Sequence, residues 1–229
     1  MTETLYTAAA LIVPLVIAIV FHEVAHGLVA NALGDPTAKE RKRLSLNPLR
    51  HVDPVGTVIL PGILALAKGP IFGWAKPVPV IKERLRNPRL GMMAVAAAGP
   101  GSNLAMAVLG AVALGLLVAA IGNQQPAEWA RFLALNLQNF LLINIFLALF
   151  NLLPIPPFDG SHIVEGLLPR ALVGPYERLR PLGFPLVLIV LVVLPWLIPS
   201  FDPVGRVVIP PVNWLAERYL ELARAVAGY

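Results

Sequence analysis

Cysteine is absent from the 229 residues. That excludes a disulfide framework, a thiolate nucleophile and any cysteine metal ligand, so a bound metal has to be held by nitrogen and oxygen. Charge is scarce as well. Asp, Glu, Lys and Arg make up 14% of the chain, against about 25% in a soluble domain. So few charges do not cover a folded surface that faces water. An ordinary soluble domain is excluded, and with it a disordered chain, a coiled coil and a nucleic-acid-binding domain of the usual kind. In their place, 57% of the residues are hydrophobic and the mean hydropathy is +0.74. That is the composition of a polytopic membrane protein. Lys and Arg number 18 against 13 Asp and Glu, a net charge of +5. In a membrane protein the placement of that excess matters more than its size.

Four apolar segments are long enough to span, since a bilayer needs roughly 20 apolar residues as helix. They run over residues 5–33, 90–121, 132–153 and 182–198. No basic residue precedes the first and no small-residue cleavage site closes it, so a cleaved signal peptide is not expected. Gly99-Pro100-Gly101 is expected to interrupt the second near its start, and Pro154 to Gly160 closes the third as irregular backbone. A shorter apolar run, Gly56 to Ala67, is broken by Pro61-Gly62. Gly73 to Val80 reads as extended or looped, because its prolines deny it a helix. The tail from about Val212 reads as an amphipathic helix, with Trp214, Leu215, Tyr219 and Leu220 at helical spacing.

The basic residues sort by loop. Five lie between Gly34 and Val55, six between Lys68 and Arg89 and three in the loop that follows Leu153 (Arg170, Arg178 and Arg180), which makes 14 of 18. The positive-inside rule puts these three loops in the cytoplasm and the N-terminus outside. Gly56 to Ala67 then has basic loops on both sides, so it does not cross. It reads as re-entrant or interfacial.

His22-Glu23-Val24-Ala25-His26 is an HExxH pattern. On a helix, positions i and i+4 share a face, so both imidazoles reach one metal ion while Glu23 meets a water on that metal as general base. The competing reading, three polar side chains bonding to neighbouring helices, loses weight inside a run such as Ile17 to Phe21, where ionisable groups are expensive. A catalytic zinc takes three protein ligands and one open position. With no cysteine, the third ligand is His, Asp or Glu. Asp159 is the best candidate, because the charge-derived topology brings the end of the third span to the depth of His22 and His26. His51 and His162 are weaker candidates for the third ligand, and His51, in a basic loop, reads rather as solvent-facing. His162 reads as a neighbour of Asp159, and Glu165 as a salt-bridge partner or as nothing of note.

These motifs, in this order, resemble the site-2 protease family of intramembrane zinc metalloproteases, in a compact prokaryotic form without PDZ domains. The resemblance rests on HExxH in the first span, Gly99-Pro100-Gly101-Ser102-Asn103 in the second, and Asn151-Leu152-Leu153-Pro154-Ile155-Pro156-Pro157-Phe158-Asp159-Gly160 after the third. The family's late motif is close to N-x-x-P-x-P-P-L-D-G, so Phe158 stands where Leu is usual. The resemblance implies one zinc held by His22, His26 and Asp159, with Glu23 as catalytic acid and base. It implies that Asn151 and Asn103 line the site, touching substrate backbone or the developing oxyanion, or supporting a ligand. It also implies that Gly73 to Val80 is a membrane-associated β-element offering an edge to an unwound substrate.

The fold expected is therefore all-α and polytopic, with about four transmembrane helices, a re-entrant or β-hairpin element between the first and second, and an amphipathic C-terminal helix. It forms one domain over 1–229, with a core at 5–160 and a C-terminal span and tail at 182–229. The activity expected is hydrolysis of a peptide bond in or near the transmembrane segment of a membrane-anchored protein. The setting is the inner or plasma membrane, with the active site towards the cytoplasm and the lipid bilayer and the substrate protein as partners. Two alternatives use the same residues: a metal-ion-binding transporter subunit, which would tolerate Glu23→Gln, and a scaffold that binds transmembrane helices without cutting them.

Overall fold

The computed structural model describes residues 2–66, 73–122, 124–198 and 200–229. Among these residues every regular element is helical. In chain order they are α1 (Thr2–Ala32), α2 (Thr37–Glu40), α3 (Leu60–Leu66), α4 (Pro88–Ile121), α5 (Glu128–Asn151), α6 (Asp159–Leu167), α7 (Arg170–Glu177), α8 (Arg180–Leu188), α9 (Leu194–Leu197) and α10 (Ile209–Ala227). Four helical stretches are long and apolar enough to cross a membrane: Leu5–Ala32, Pro88–Ile121, Glu128–Asn151 and Arg180–Leu197. The last joins α8 to α9 through a wide turn of π type at Ile189–Val193.

Local signals explain where the second span begins and ends. The side chain of Asn87 accepts from the Leu90 amide at 3.1 Å and Pro88 occupies the first helical position, which together satisfy the exposed start of a helix. The far end stops at Gly122, whose φ of +56° suits a residue without Cβ. In contrast to the expected interruption at Gly99-Pro100-Gly101, α4 runs through all three residues. A proline costs a helix one hydrogen bond, and buried packing around Pro100 tolerates that loss here.

The region between the first two spans differs from a simple hairpin. Asp53 caps a wide helical turn at Pro54–Ile59, accepting from the amides of Val55 at 3.0 Å and Gly56 at 2.7 Å, and that turn leads directly into α3. The thirteen residues 54–66 rise about 20 Å as helix, short of a core about 30 Å thick. Ala67, the end of the expected re-entrant run, and Lys68 lie outside the described residues. Residues 73–81 are extended, but no strand forms among the described residues. Their amides go to separate partners instead: Trp74 to Gly56 O at 3.1 Å, Lys76 to His51 O at 2.9 Å, Val78 to Glu23 and Ile81 to Asp35. Pro77 and Pro79 carry no N–H, so the opposite edge lacks the alternating donors of a ladder.

Helix α4 is the hub, packing on α1, α5, α6 and α10. Its C-terminal half supplies Ala107, Ala111 and Leu114 to an apolar core completed by Leu141 and Ile145 of α5 and by Val212, Ala216 and Ala223 of α10. A Cβ at Gly115 would run into the Ala223 carbonyl and Val226, so α10 can close on α4 only over glycine. The amphipathic tail thus buries its small face in the bundle and leaves Trp214 exposed.

Candidate metal centre

One turn of α1 places His22 and His26 on the face that meets α4 and the start of α6. Their Nε2 atoms lie 3.0 Å apart, and Asp159 Oδ2 is 3.2 Å from His22 Nε2 and 3.3 Å from His26 Nε2. Both imidazoles are largely buried. Gly99 of α4 lies against them, and a Cβ there would collide with both rings. The glycine of the Gly-Pro-Gly motif is therefore a matter of close approach rather than of helix breaking.

The back of each imidazole is held by a partner that dictates its tautomer. His26 Nδ1 is 2.7 Å from the Val95 carbonyl, which can only accept, so Nδ1 carries the proton. His22 Nδ1 is 2.6 Å from Asn103 Oδ1. The orientation of that amide is itself fixed. Asn103 Nδ2 donates to the Ala18 carbonyl at 3.2 Å and to Asn144 Oδ1 at 2.8 Å, and Asn144 Nδ2 donates to the Phe140 carbonyl at 2.8 Å. Two backbone carbonyls, obligate acceptors, thus leave Asn103 Oδ1 facing His22, which must donate from Nδ1. Both Nε2 lone pairs therefore point at one another and at a carboxylate.

Three electron-rich atoms at such spacing are stable only around a cation. Asp159 Oδ2 is buried and accepts no hydrogen bond among the described residues, as a ligand oxygen would be. A tetrahedral zinc with bonds of roughly 2.0–2.1 Å has donor–donor edges of about 3.3–3.4 Å, close to the edges observed. The residues fit a divalent ion with one coordination position open. Burial raises the Asp159 pKa, but where an imidazole proton on Nε2 takes the place of the cation, its pairing with the carboxylate outweighs burial and lowers that pKa to about 2.

Asp159 reaches the centre because the chain turns sharply after α5 and restarts as α6 at that residue. Helix α6 is tethered from behind by Glu165, which is 3% exposed. Lys82 Nζ donates to Glu165 Oε1 at 2.5 Å and Arg180 pairs with Oε2. Burial raises the Glu165 pKa, yet Lys82 and Arg180 outweigh it and keep the group below its usual value, while Glu165 raises that of Lys82.

Glu23 faces the extended segment, and its Oε2 accepts from the Val78 amide at 2.7 Å. Twelve residues further on, fully buried Asp35 accepts from the Ile81 amide at 2.6 Å and from the Thr37 amide at 3.0 Å and hydroxyl. Burial alone would raise the Asp35 pKa, but these donors and Arg84 bring it below its usual value. Two carboxylates of the first span and its exit thus pin residues 78–81.

The remaining candidates are placed as follows. Asn103 is fully buried with its amide spent on His22, Ala18 and Asn144, which leaves it no donor for an oxyanion. Asn151, the last residue of α5, donates to the Leu147 carbonyl at 2.9 Å. His51 is 3% exposed, not solvent-facing as expected, because the loop folds back so that its Nε2 meets the Ser45 carbonyl at 2.8 Å. His162 pairs with Arg180, whose Nη2 lies 3.0 Å from its Nδ1. Asn144 and the Val95 carbonyl escaped the sequence reading. A polar residue within a long apolar stretch of the third span, Phe140 to Phe150, was the available signal for Asn144, whereas a backbone carbonyl leaves none.

Comparison with known proteins gives the family. The model of "Peptidase family M50" matches residues 10–194. The chain is 40% identical over 185 residues to "Putative zinc metalloprotease YwhC" of Bacillus subtilis (strain 168), covering 81% of this chain and 80% of that relative. It is 30% identical over 174 residues to "Putative zinc metalloprotease Rip2" of Mycolicibacterium smegmatis (strain ATCC 700084 / mc(2)155), covering 76% of this chain and 62% of that relative. No solved structure matches the chain. With four helices able to span and a family model over most of its length, the chain belongs to peptidase family M50, the site-2 protease family of metalloendopeptidases that its motifs resemble.

Proposed function

We propose that the chain is an intramembrane zinc endopeptidase that hydrolyses a peptide bond in or near the transmembrane segment of a membrane-anchored protein. The observation that carries this reading is the triangle of His22 Nε2, His26 Nε2 and Asp159 Oδ2, with edges of 3.0, 3.2 and 3.3 Å, inside an apolar bundle. These three residues hold one zinc ion, the metal in the names of both relatives. Zinc, when bound, supplies Lewis acidity, acidifying water towards neutrality and polarising the scissile carbonyl.

The rest is done by the chain's own groups. Glu23 takes the proton of the attacking water and returns it to the leaving amine. The Val78 amide holds Oε2, so the other oxygen, Oε1, is the one presented to that water. Asn103 and Asn144 keep His22 in the tautomer that offers Nε2, as partners behind a ligand do. Asn151, at the end of α5, contacts substrate. Gly73 to Val80 lies alongside an unwound substrate as an extended edge, without strand pairing at Pro77 and Pro79, because a helical substrate must expose its backbone before it can be cut. The clustering of 14 of 18 basic residues in three loops supports an N-terminus outside and an active site near the cytoplasmic face of the plasma membrane. By resemblance to the family, substrates are membrane-anchored regulators such as anti-sigma factors, or remnant signal peptides.

The test is to purify the protein and its Glu23→Gln form in detergent, measure zinc per chain and assay cleavage of a membrane-anchored model substrate. One zinc in each with cleavage in the parent alone supports the reading. Equal behaviour of the two forms, or no zinc in the parent, contradicts it.

A further inference from the structure

A basic groove runs along the extended segment that holds Glu23. Its volume is about 300 Å³ and it is lined by Arg41, Arg43, Lys76, Pro77 and Pro79, three cations with no carboxylate among them. Arg43 is anchored, its Nη2 donating to the Lys76 carbonyl at 2.7 Å, while its Nε is buried without an acceptor among the described residues. Arg41 and Lys76 form no ion pair with any described residue, and nearby Glu40 is engaged by Arg84 at 2.9 Å. The groove therefore has positive charge to spare.

Its position is what gives that charge a meaning. Val78, whose amide holds Glu23, sits between the two prolines of the lining. Pro77 and Pro79 are each one Cα step from it, about 3.8 Å. An anion in the groove lies on the order of 10 Å from the Glu23 carboxylate, roughly three residues of extended peptide. The prolines offer no N–H, so recognition there falls to side-chain charge rather than to backbone pairing.

We propose that this groove is a specificity subsite for an acidic side chain, an Asp or Glu of the substrate within about three residues of the scissile bond. The proposal rests on the peptidase reading above and narrows its substrate class. Lys and Arg commonly flank transmembrane segments on the cytoplasmic side. The groove repels them, so it selects segments whose flank near the cut is acidic or neutral. The phosphate of an anionic lipid carries the same charge, but the groove's place along the segment holding Glu23 favours a peptide occupant.

The experiment uses the full chain in phosphatidylcholine vesicles with single-span model substrates. Once the cut in a neutral substrate is mapped, Ala, Asp or Lys is placed at each of the four positions on either side of it. Asp at one or more of these positions is expected to raise kcat/KM roughly three- to tenfold over Ala, and Lys to lower it, as partly screened charge pairs do. Arg41→Gln with Lys76→Gln flattens the preference, and Arg41→Glu with Lys76→Glu reverses it, with zinc content reporting that the variants fold. Equal cleavage of Ala, Asp and Lys substrates by the parent overturns the subsite while leaving the peptidase reading intact. So does an acid preference that survives both double variants. Activity that depends on added phosphatidylglycerol through Arg41 and Lys76, without a substrate-charge preference, assigns the groove to lipid. Failure to cut any substrate overturns the peptidase reading and the subsite together.

Discussion

The two halves of α4 are built for different purposes. The N-terminal half, from Val95 to Asn103, spends its packing surface on polar partners: a carbonyl for His26, an amide for His22, and Gly99 to let both rings approach. The C-terminal half, from Ala107 to Gly115, meets α5 and α10 with apolar residues alone, Ala107, Ala111, Leu114 and Gly115 among them. One helix thus joins an end that backs the candidate metal centre with costly, fully partnered polar groups to an end that holds the bundle together by close packing. Damage at the first end should cost function with little loss of fold, and damage at the second should do the reverse.

The largest effect is expected from Glu23→Gln. Cleavage should fall by roughly 10²–10⁴-fold, the usual scale of a lost general base, while zinc content and thermal stability match the parent. Next comes Leu141→Ala, on α5 where it packs against the apolar half of α4. This side chain is fully buried, so chemical or thermal unfolding in detergent should show a loss of about 2–5 kcal/mol, with zinc affinity of the folded fraction unchanged. A smaller effect is expected from Asn103→Ala, a roughly 10- to 100-fold weaker zinc affinity by competition with a chelating dye. Asn144→Ala should shift affinity in the same direction by less, since it acts on His22 only through Asn103. If Leu141→Ala weakens zinc binding as much as Asn103→Ala, the two halves are not separable.

The smallest effect concerns pH. Glu165 titrates below the ordinary glutamate value of 4.5 in the folded protein. Its pairing therefore stabilises fully above that value and is lost as the pH falls through the lowered pKa. Glu165→Gln should flatten the acid side of the stability profile relative to the parent, leaving Asp35 and Asp159 to account for what slope remains.

Much of this arrangement is legible in the sequence because its signals are local. HExxH fixes His22, Glu23 and His26 by helical spacing, and four long apolar runs mark the spans, within a few residues of Leu5–Ala32, Pro88–Ile121, Glu128–Asn151 and Arg180–Leu197. The pairings that depend on docking are not legible. Asn103 meets Asn144 across 41 residues only once α4 lies on α5. His51 looks like a surface residue beside Arg50 until the loop brings the Ser45 carbonyl to it. The prolines of residues 73–81 exclude a helix, but nothing in their pattern reveals that the Val78 and Ile81 amides end on Glu23 and Asp35. Gly99-Pro100-Gly101 misleads for a related reason: it resembles a helix break, and its glycine serves the neighbouring rings instead.

The central claim is that His22, His26 and Asp159 hold one zinc ion. X-ray absorption at the zinc edge, on the detergent-purified parent and its Asp159→Ala form, tests it most directly. The parent should show two imidazole nitrogens and oxygen donors at roughly 2.0–2.2 Å, and Asp159→Ala should lose the carboxylate oxygen while keeping both imidazoles or lose the metal outright. A parent spectrum without two imidazoles, or one that Asp159→Ala leaves unchanged, would contradict the account.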